Sequence, residues 1–150
     1  MLLASSGVGE IDALLAEIIG TLDAAFGARV RGYYLVGSYA MACPVWTSDV
    51  DVVALFDDAA TADEQRRFGD LIAPIRARSR WPIDVNPIDE AELRRDGASR
   101  FKFTSTLLYG EDVRDTLPLR PIEKYIRSEI GGAFMMLTRV HGTPGKWLFG

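Results

Sequence analysis

The residues best suited to chemistry lie in one stretch, Gly37-Ser38-Tyr39-Ala40-Met41-Ala42-Cys43-Pro44-Val45-Trp46-Thr47-Ser48-Asp49-Val50-Asp51. Gly37-Ser38 ends a β-branched and aromatic run; ten residues later Asp49-Val50-Asp51 opens a second, apolar run. Side chains alternate faces along a strand, so Asp49 and Asp51 point one way while Val50 and Val52 point into the core. Two carboxylates held that close repel each other unless a cation sits between them. Oxygen donors at this spacing suit Mg²⁺ or Mn²⁺, hard ions that keep positions open for water and phosphate oxygens. Gly37 lets the backbone approach a phosphate closely, and the Ser38 hydroxyl and nearby backbone N–H groups can donate to it. Asp84, set between Ile83 and Val85 in a short strand, is the candidate third acid. Three such carboxylates in one sheet would clamp the attacking and leaving oxygens of an in-line displacement at phosphorus.

Elements must hold these groups in place. Ile11, Leu14, Leu15, Ile18, Ile19, Leu22 and Phe26 recur at helical spacing and predict a helix over Glu10–Phe26, stopped by Gly27. Val30–Val36 and Val50–Phe56 read as strands, the second nearly continuous in apolar residues and so central and buried on both faces. Thr61-Ala62-Asp63-Glu64 is a capping box that opens a helix to about Ala73, with Pro74 breaking or kinking it. Trp81–Ile88, punctuated by Pro82 and Pro87, suggests a strand at a sheet edge. Asp89–Leu93 reads as a turn or two of helix, and Phe101–Tyr109 as a helix closed by Gly110. A last helix begins at Pro121, with Ile122, Tyr125, Ile126, Ile130, Ala133, Phe134 and Leu137 expected as its buried stripe. The expected fold is α/β (α+β in stricter usage): a small mixed β-sheet with flanking helices. Residues 1–118 form the catalytic domain, and 119–150 a helix and tail that pack on it or begin a further helical domain.

Each other feature has a plainer reading beside the chemical one. Ser48 caps or turns the start of the second strand, or else touches the nucleotide. Lys102 is an exposed lysine, or reaches a triphosphate from the downstream helix. Arg76, Arg78 and Arg80 are a solvated helix end; Cys43 is a small buried apolar group. Tyr39 and Trp46 pack over the loop or stack on a ring, and His141 near the end of the last helix has no catalytic part.

Composition narrows the function classes. The chain has 150 residues, 48% hydrophobic and 25% charged, with 17 Lys+Arg against 21 Asp+Glu and a net charge of −4. That is ordinary globular usage for one sizeable core. The acidic balance argues against a dedicated nucleic-acid binder. No apolar run approaches the roughly 18–20 residues of a membrane span, and the start lacks a signal peptide's basic flank. One cysteine and one histidine exclude an internal disulfide framework and a Cys/His zinc site. These features together point to the cytoplasm. Trp147-Leu148-Phe149 makes an apolar tail that docks on the domain, packs against a partner or a second copy of the chain, or belongs to a longer chain.

Gly-Ser, a spacer, Asp-x-Asp and a later Asp on a neighbouring strand resemble the signature of the polymerase-β-like nucleotidyltransferase superfamily. The resemblance covers Leu35–Val85 by motif, and more loosely the preceding helix and the stretch to Asp112. It implies that Gly37 and Ser38 hold the triphosphate of ATP and that Asp49 and Asp51 bind the metal ions. Asp84 would bind the catalytic metal and help deprotonate an acceptor hydroxyl, with a nucleoside monophosphate transferred and pyrophosphate released. The minimal nucleotidyltransferases and the antibiotic adenylyltransferases are the most similar subgroups. The ten-residue spacer also resembles that of MNT antitoxins, which modify a partner HEPN toxin with AMP. A regulatory or antitoxin module that acts by binding a partner is therefore the rival reading. The chain carries Met41-Ala42 where the superfamily commonly has a glycine.

Overall fold

In the computed structural model the described residues are 1–119, 121–124, 126–127 and 130–131, the side chains at 96 and 97 excepted. The chain forms two units, Met1–Pro118 and Leu119–Gly150, and the first contains the sheet and its helices. Helix α1 (Gly9–Phe26) buries Ile11, Leu15, Ile18, Ile19, Leu22 and Phe26, one stripe at 3.6-residue spacing. There follow β1 (Val30–Val36), the single turn α2 (Gly37–Ala40), β2 (Val50–Phe56), α3 (Ala62–Arg78) and β3 (Ile83–Asp89). The short α4 (Glu90–Glu92), a wider π turn over Leu93–Gly97, α5 (Ala98–Thr104) and β4 (Thr106–Gly110) follow, and a 3₁₀ turn over Arg114–Thr116 completes the unit.

The sheet order is β3-β2-β1-β4. β1 is antiparallel to β2 and to β4, whereas β2 and β3, joined through α3, run parallel. A helical crossover is what a parallel neighbour requires. The sheet is therefore mixed and flanked by helices. Alternation along each strand sends Tyr33, Leu35, Val52 and Ala54 into one core with α1 and α3. Tyr34, Val53 and Leu55 face the other, against Leu93, Phe101, Val113 and Leu117. Each fully buried side chain of this size contributes roughly 1.5–3 kcal/mol. The buried Tyr34 hydroxyl accepts from the Val113 N–H (2.9 Å) and donates to the Glu111 carbonyl (2.7 Å), fastening the segment after β4.

Several sequence expectations need correction. Phe101–Tyr109 is not one helix: α5 stops at Thr104, and Thr106–Gly110 is a strand whose Tyr109 pairs with Tyr33. The free edge of β1 supplies backbone partners that a helix could not use, and pairing decides an ambiguous run. α3 passes through Pro74 to Arg78, because burial of Ile72 and Ile75 on either side outweighs one lost backbone bond. Cys43 is exposed, in the loop between α2 and β2. β3 does lie at a sheet edge, where Pro82 and Pro87 cost no ladder. Ile122, Ile126 and Ile130 of the C-terminal stripe are exposed. Tyr125, Ala133, Phe134, Leu137, His141 and the tail Trp147-Leu148-Phe149 fall outside the described residues.

Candidate active site

Three strand ends meet at one end of the sheet. β1 runs out at Val36, β2 begins at Val50 and β3 at Ile83. Asp51 pairs with Val36 on one side and with Asp84 on the other. In a parallel ladder such partners show their side chains on the same face, with strands about 4.8 Å apart. The register alone thus sets Asp51 and Asp84 side by side. Asp49 precedes β2 and is exposed.

Gly37 makes room for this arrangement. Its φ is +69°, in the left-handed region that favours glycine. A Cβ built there would lie 2.2 Å from the Asp51 carboxylate oxygen Oδ2. No side chain fits at position 37 while Asp51 stays where it is. That gives the Gly-Ser motif a steric role besides any role in phosphate binding.

The electrostatics are equally specific. Burial pushes the Asp51 carboxyl up to about 6, and the like charges of Asp49 and Asp84 push in the same direction. The Arg100 guanidinium opposes them. A carboxylate raised by burial and by like-charged neighbours is a group that gains from a cation. Among the described residues, however, no three His, Cys, Asp or Glu side chains close around a common ion position. The donors are hard oxygens on one face, which suits Mg²⁺ or Mn²⁺, but they are not drawn together.

Asp51 and Asp84 open into a cleft of about 370 Å³ between the sheet and α5. Gly37 lines it, as do Asn86, Arg100, Phe101 and Thr104, which sequence reading missed. Asn86 was accessible to that reading, since it stands two residues beyond Asp84 and so on the same face. Arg100 was not, because only the docking of α5 brings it here. Lys102, two helical positions on and so pointing elsewhere, donates instead to the Asp115 carbonyl at 3.4 Å. The Ser38 carbonyl accepts from the Cys43 N–H (3.0 Å) within the loop. The Ser48 hydroxyl accepts from the Val45 N–H (2.9 Å), closing the turn before Asp49. Tyr39 is buried in the core, whereas Trp46 on the same loop is 96% exposed. Arg76 donates to the Ile83 carbonyl at 3.1 Å, Arg78 pairs with Glu17, and Arg80 pairs with Glu10 over the Trp81 ring. Arg76 thus ties α3 to the start of β3, Arg78 and Arg80 tie the end of α3 to α1, and none of the three lines the cleft.

This mixed sheet, with flanking helices and acids at the strand ends, is the nucleotidyltransferase-like fold. A spectinomycin adenyltransferase of Enterococcus, solved with ATP and spectinomycin, matches with TM-score 0.64 and 16% identity over 85% of this chain and 65% of that chain. A chain from the complex of tri-AMPylated HEPN toxin with MNT antitoxin, from Shewanella oneidensis, matches more loosely. Its TM-score is 0.47, with 16% identity over 85% of this chain and 89% of that one. No family model and no curated protein sequence matches the chain. No described helix is long and apolar enough to cross a membrane.

Proposed function

We propose that this chain is a metal-dependent nucleotidyltransferase that moves a nucleoside monophosphate, AMP from ATP, to a hydroxyl of a small molecule or a protein. One observation carries the reading: Asp51 and Asp84 stand in register on adjacent strands, at the mouth of a cleft, against a glycine whose positive φ and closeness to the Asp51 carboxylate disfavour a side chain. Structural acids are normally paired with a cation or left in open solvent, whereas Asp51 is half-buried beside two further acids.

In this reading Gly37 and Ser38 cradle the β- and γ-phosphates. Asp49, Asp51 and Asp84 would hold Mg²⁺ or Mn²⁺, which supplies charge neutralisation at the transferring phosphorus and lowers the pKa of the attacking hydroxyl. Asp84 orients that hydroxyl and receives its proton. Arg100, which lines the cleft, is the cation assigned to the phosphates in this reading. Residues 1–118 act as the catalytic domain and 119–150 as an accessory helix and tail, in a cytoplasmic protein.

The test is incubation with α-labelled ATP and Mg²⁺ against a metabolite panel and a lysate, beside Asp49→Ala. Label transferred only by the unaltered chain supports the reading; equal label in both ends it. A second reading, an antitoxin-type module that binds a partner such as a HEPN toxin, is favoured by the apolar loop beside the site. Met41, Val45 and Trp46 are exposed there by 48, 62 and 96%. A module that works by binding would keep its partner after Asp49→Ala, whereas an enzyme would lose transfer.

A further inference from the structure

Beyond the carboxylates the cleft changes character. β3 lies parallel to β2 with Val53 beside Asn86 and Leu55 beside Ile88, so Asp84, Asn86 and Ile88 form one row. Val53, Leu93 and Phe101, all buried, give this part of the cleft an apolar floor. Asn86 and Thr104 are its neutral polar groups, and among the described lining residues only Asp51, Asp84 and Arg100 are charged.

In-line displacement fixes which substrate belongs here. The attacking oxygen must approach the α-phosphorus from the side opposite the leaving pyrophosphate. β1 and β3 flank β2, so the side opposite Gly37-Ser38 is that of Asp84 and the row leading through Asn86 to Ile88. We infer that this row and its apolar floor form the acceptor site, and that it takes a neutral compound bearing a hydroxyl on an apolar ring, oriented by the Asn86 amide. The inference rests on the nucleotidyltransferase reading and names its acceptor class.

The chemistry of the walls supports neutrality. A protonated amine would meet the Arg100 guanidinium and, among the described lining residues, find no carboxylate beyond the two already facing the phosphate. An amide offers one donor and one acceptor group to a second hydroxyl or a carbonyl on the ring. A cleft of about 370 Å³ is near the small end of ligand sites, room for a single ring beside the α-phosphate. In the step itself the acceptor oxygen bonds to the α-phosphorus while the bond to the bridging oxygen breaks. Pyrophosphate carries away that electron pair, and the hydroxyl proton passes to Asp84.

A matched pair of probes tests this: trans-1,2-cyclohexanediol and trans-2-aminocyclohexanol, the same ring with and without a charge. Titrated into the full chain free of metal, the diol should shift the side-chain amide resonances of Asn86 at a concentration at least fivefold below that needed for the amine. Asn86→Leu should raise the half-saturating diol concentration at least fivefold. With ATP and Mg²⁺, transfer to the diol should exceed transfer to the amine by tenfold in kcat/KM, and Asn86→Leu should act on the KM for the diol. Equal or tighter binding of the amine, or diol shifts confined to residues away from Asn86, overturns the acceptor assignment even where ATP binds normally. Failure of ATP itself to bind at Gly37 and Asp51 overturns the underlying reading, and the assignment with it.

Discussion

The two ends of the sheet use the same residue types to opposite effect. At the end where β1 starts, Arg31 bonds Glu111 (2.9 Å), pairs with Glu90 and lies 3.9 Å from Asp57. Glu90 is held below the usual carboxylate range by hydrogen bonds from Arg94, with Arg31 adding to the effect. Asp112 is held down in the same way by Arg114, at 2.6 Å. At the other end Asp51 faces Asp49 and Asp84, and its carboxyl rises to about 6. Acids that fasten a fold come with their cations supplied by the chain. An acid raised by burial and by like-charged neighbours, as Asp51 is, marks where a cation must come from outside.

The largest expected effect tests that contrast directly. Asp51→Asn should lower transfer of labelled AMP at least about a hundredfold, since a metal ligand is lost. The same change should stabilise the metal-free protein at pH 7. The folded-state carboxyl titrates near 6, above its ordinary 3.8, so its stabilising contribution is full below 3.8 and is lost as pH rises through 6. Thermal melts in a chelator should show a falling Tm between pH 4 and 7 that Asp51→Asn flattens. A Tm lower in the variant than in the parent at pH 7 would contradict the unpaired-acid account.

Gly37→Ala comes next. The positive φ and the 2.2 Å clash with Asp51 should together cost about 1–3 kcal/mol in a urea melt. Transfer should fall at least about tenfold as the carboxylate is displaced.

At the paired end the order of effects reverses. Arg31→Ala leaves Glu90 and Glu111 without their shared partner and should cost about 1–2 kcal/mol of stability. The KM for ATP should stay within twofold, because β1 carries the two sites at opposite ends. Smallest of all is Cys43→Ser. Its thiol is exposed, so stability should change by less than about 0.5 kcal/mol and transfer should persist.

Much of this was readable in the sequence because it is local. The bounds of β1 and β2 follow from β-branched runs closed by Gly37 and by Asp57-Asp58. The Thr61 capping box is present as its spacing demands. Asp49, Asp51 and Asp84 stood out because acids at otherwise apolar strand positions are costly without a compensating charge. The two misread secondary-structure elements share one cause. Thr106–Gly110 has no strong period of its own, and Pro74 is a helix breaker only until packing on both sides overrules it.

Taken alone, then, the amino-acid order determined the strands that carry the acids, the helix that covers one face, and the chemical identity of the donors. These depend on periodicity and charge within a few neighbouring residues. The register setting Asp84 beside Asp51, the closeness of Gly37 to the Asp51 carboxylate, and the arrival of Arg100 and Phe101 in the cleft that Asn86 also lines were settled by the tertiary structure. Each joins residues far apart in the chain. Such meetings are chosen by which buried faces fit together, and no local pattern records that choice.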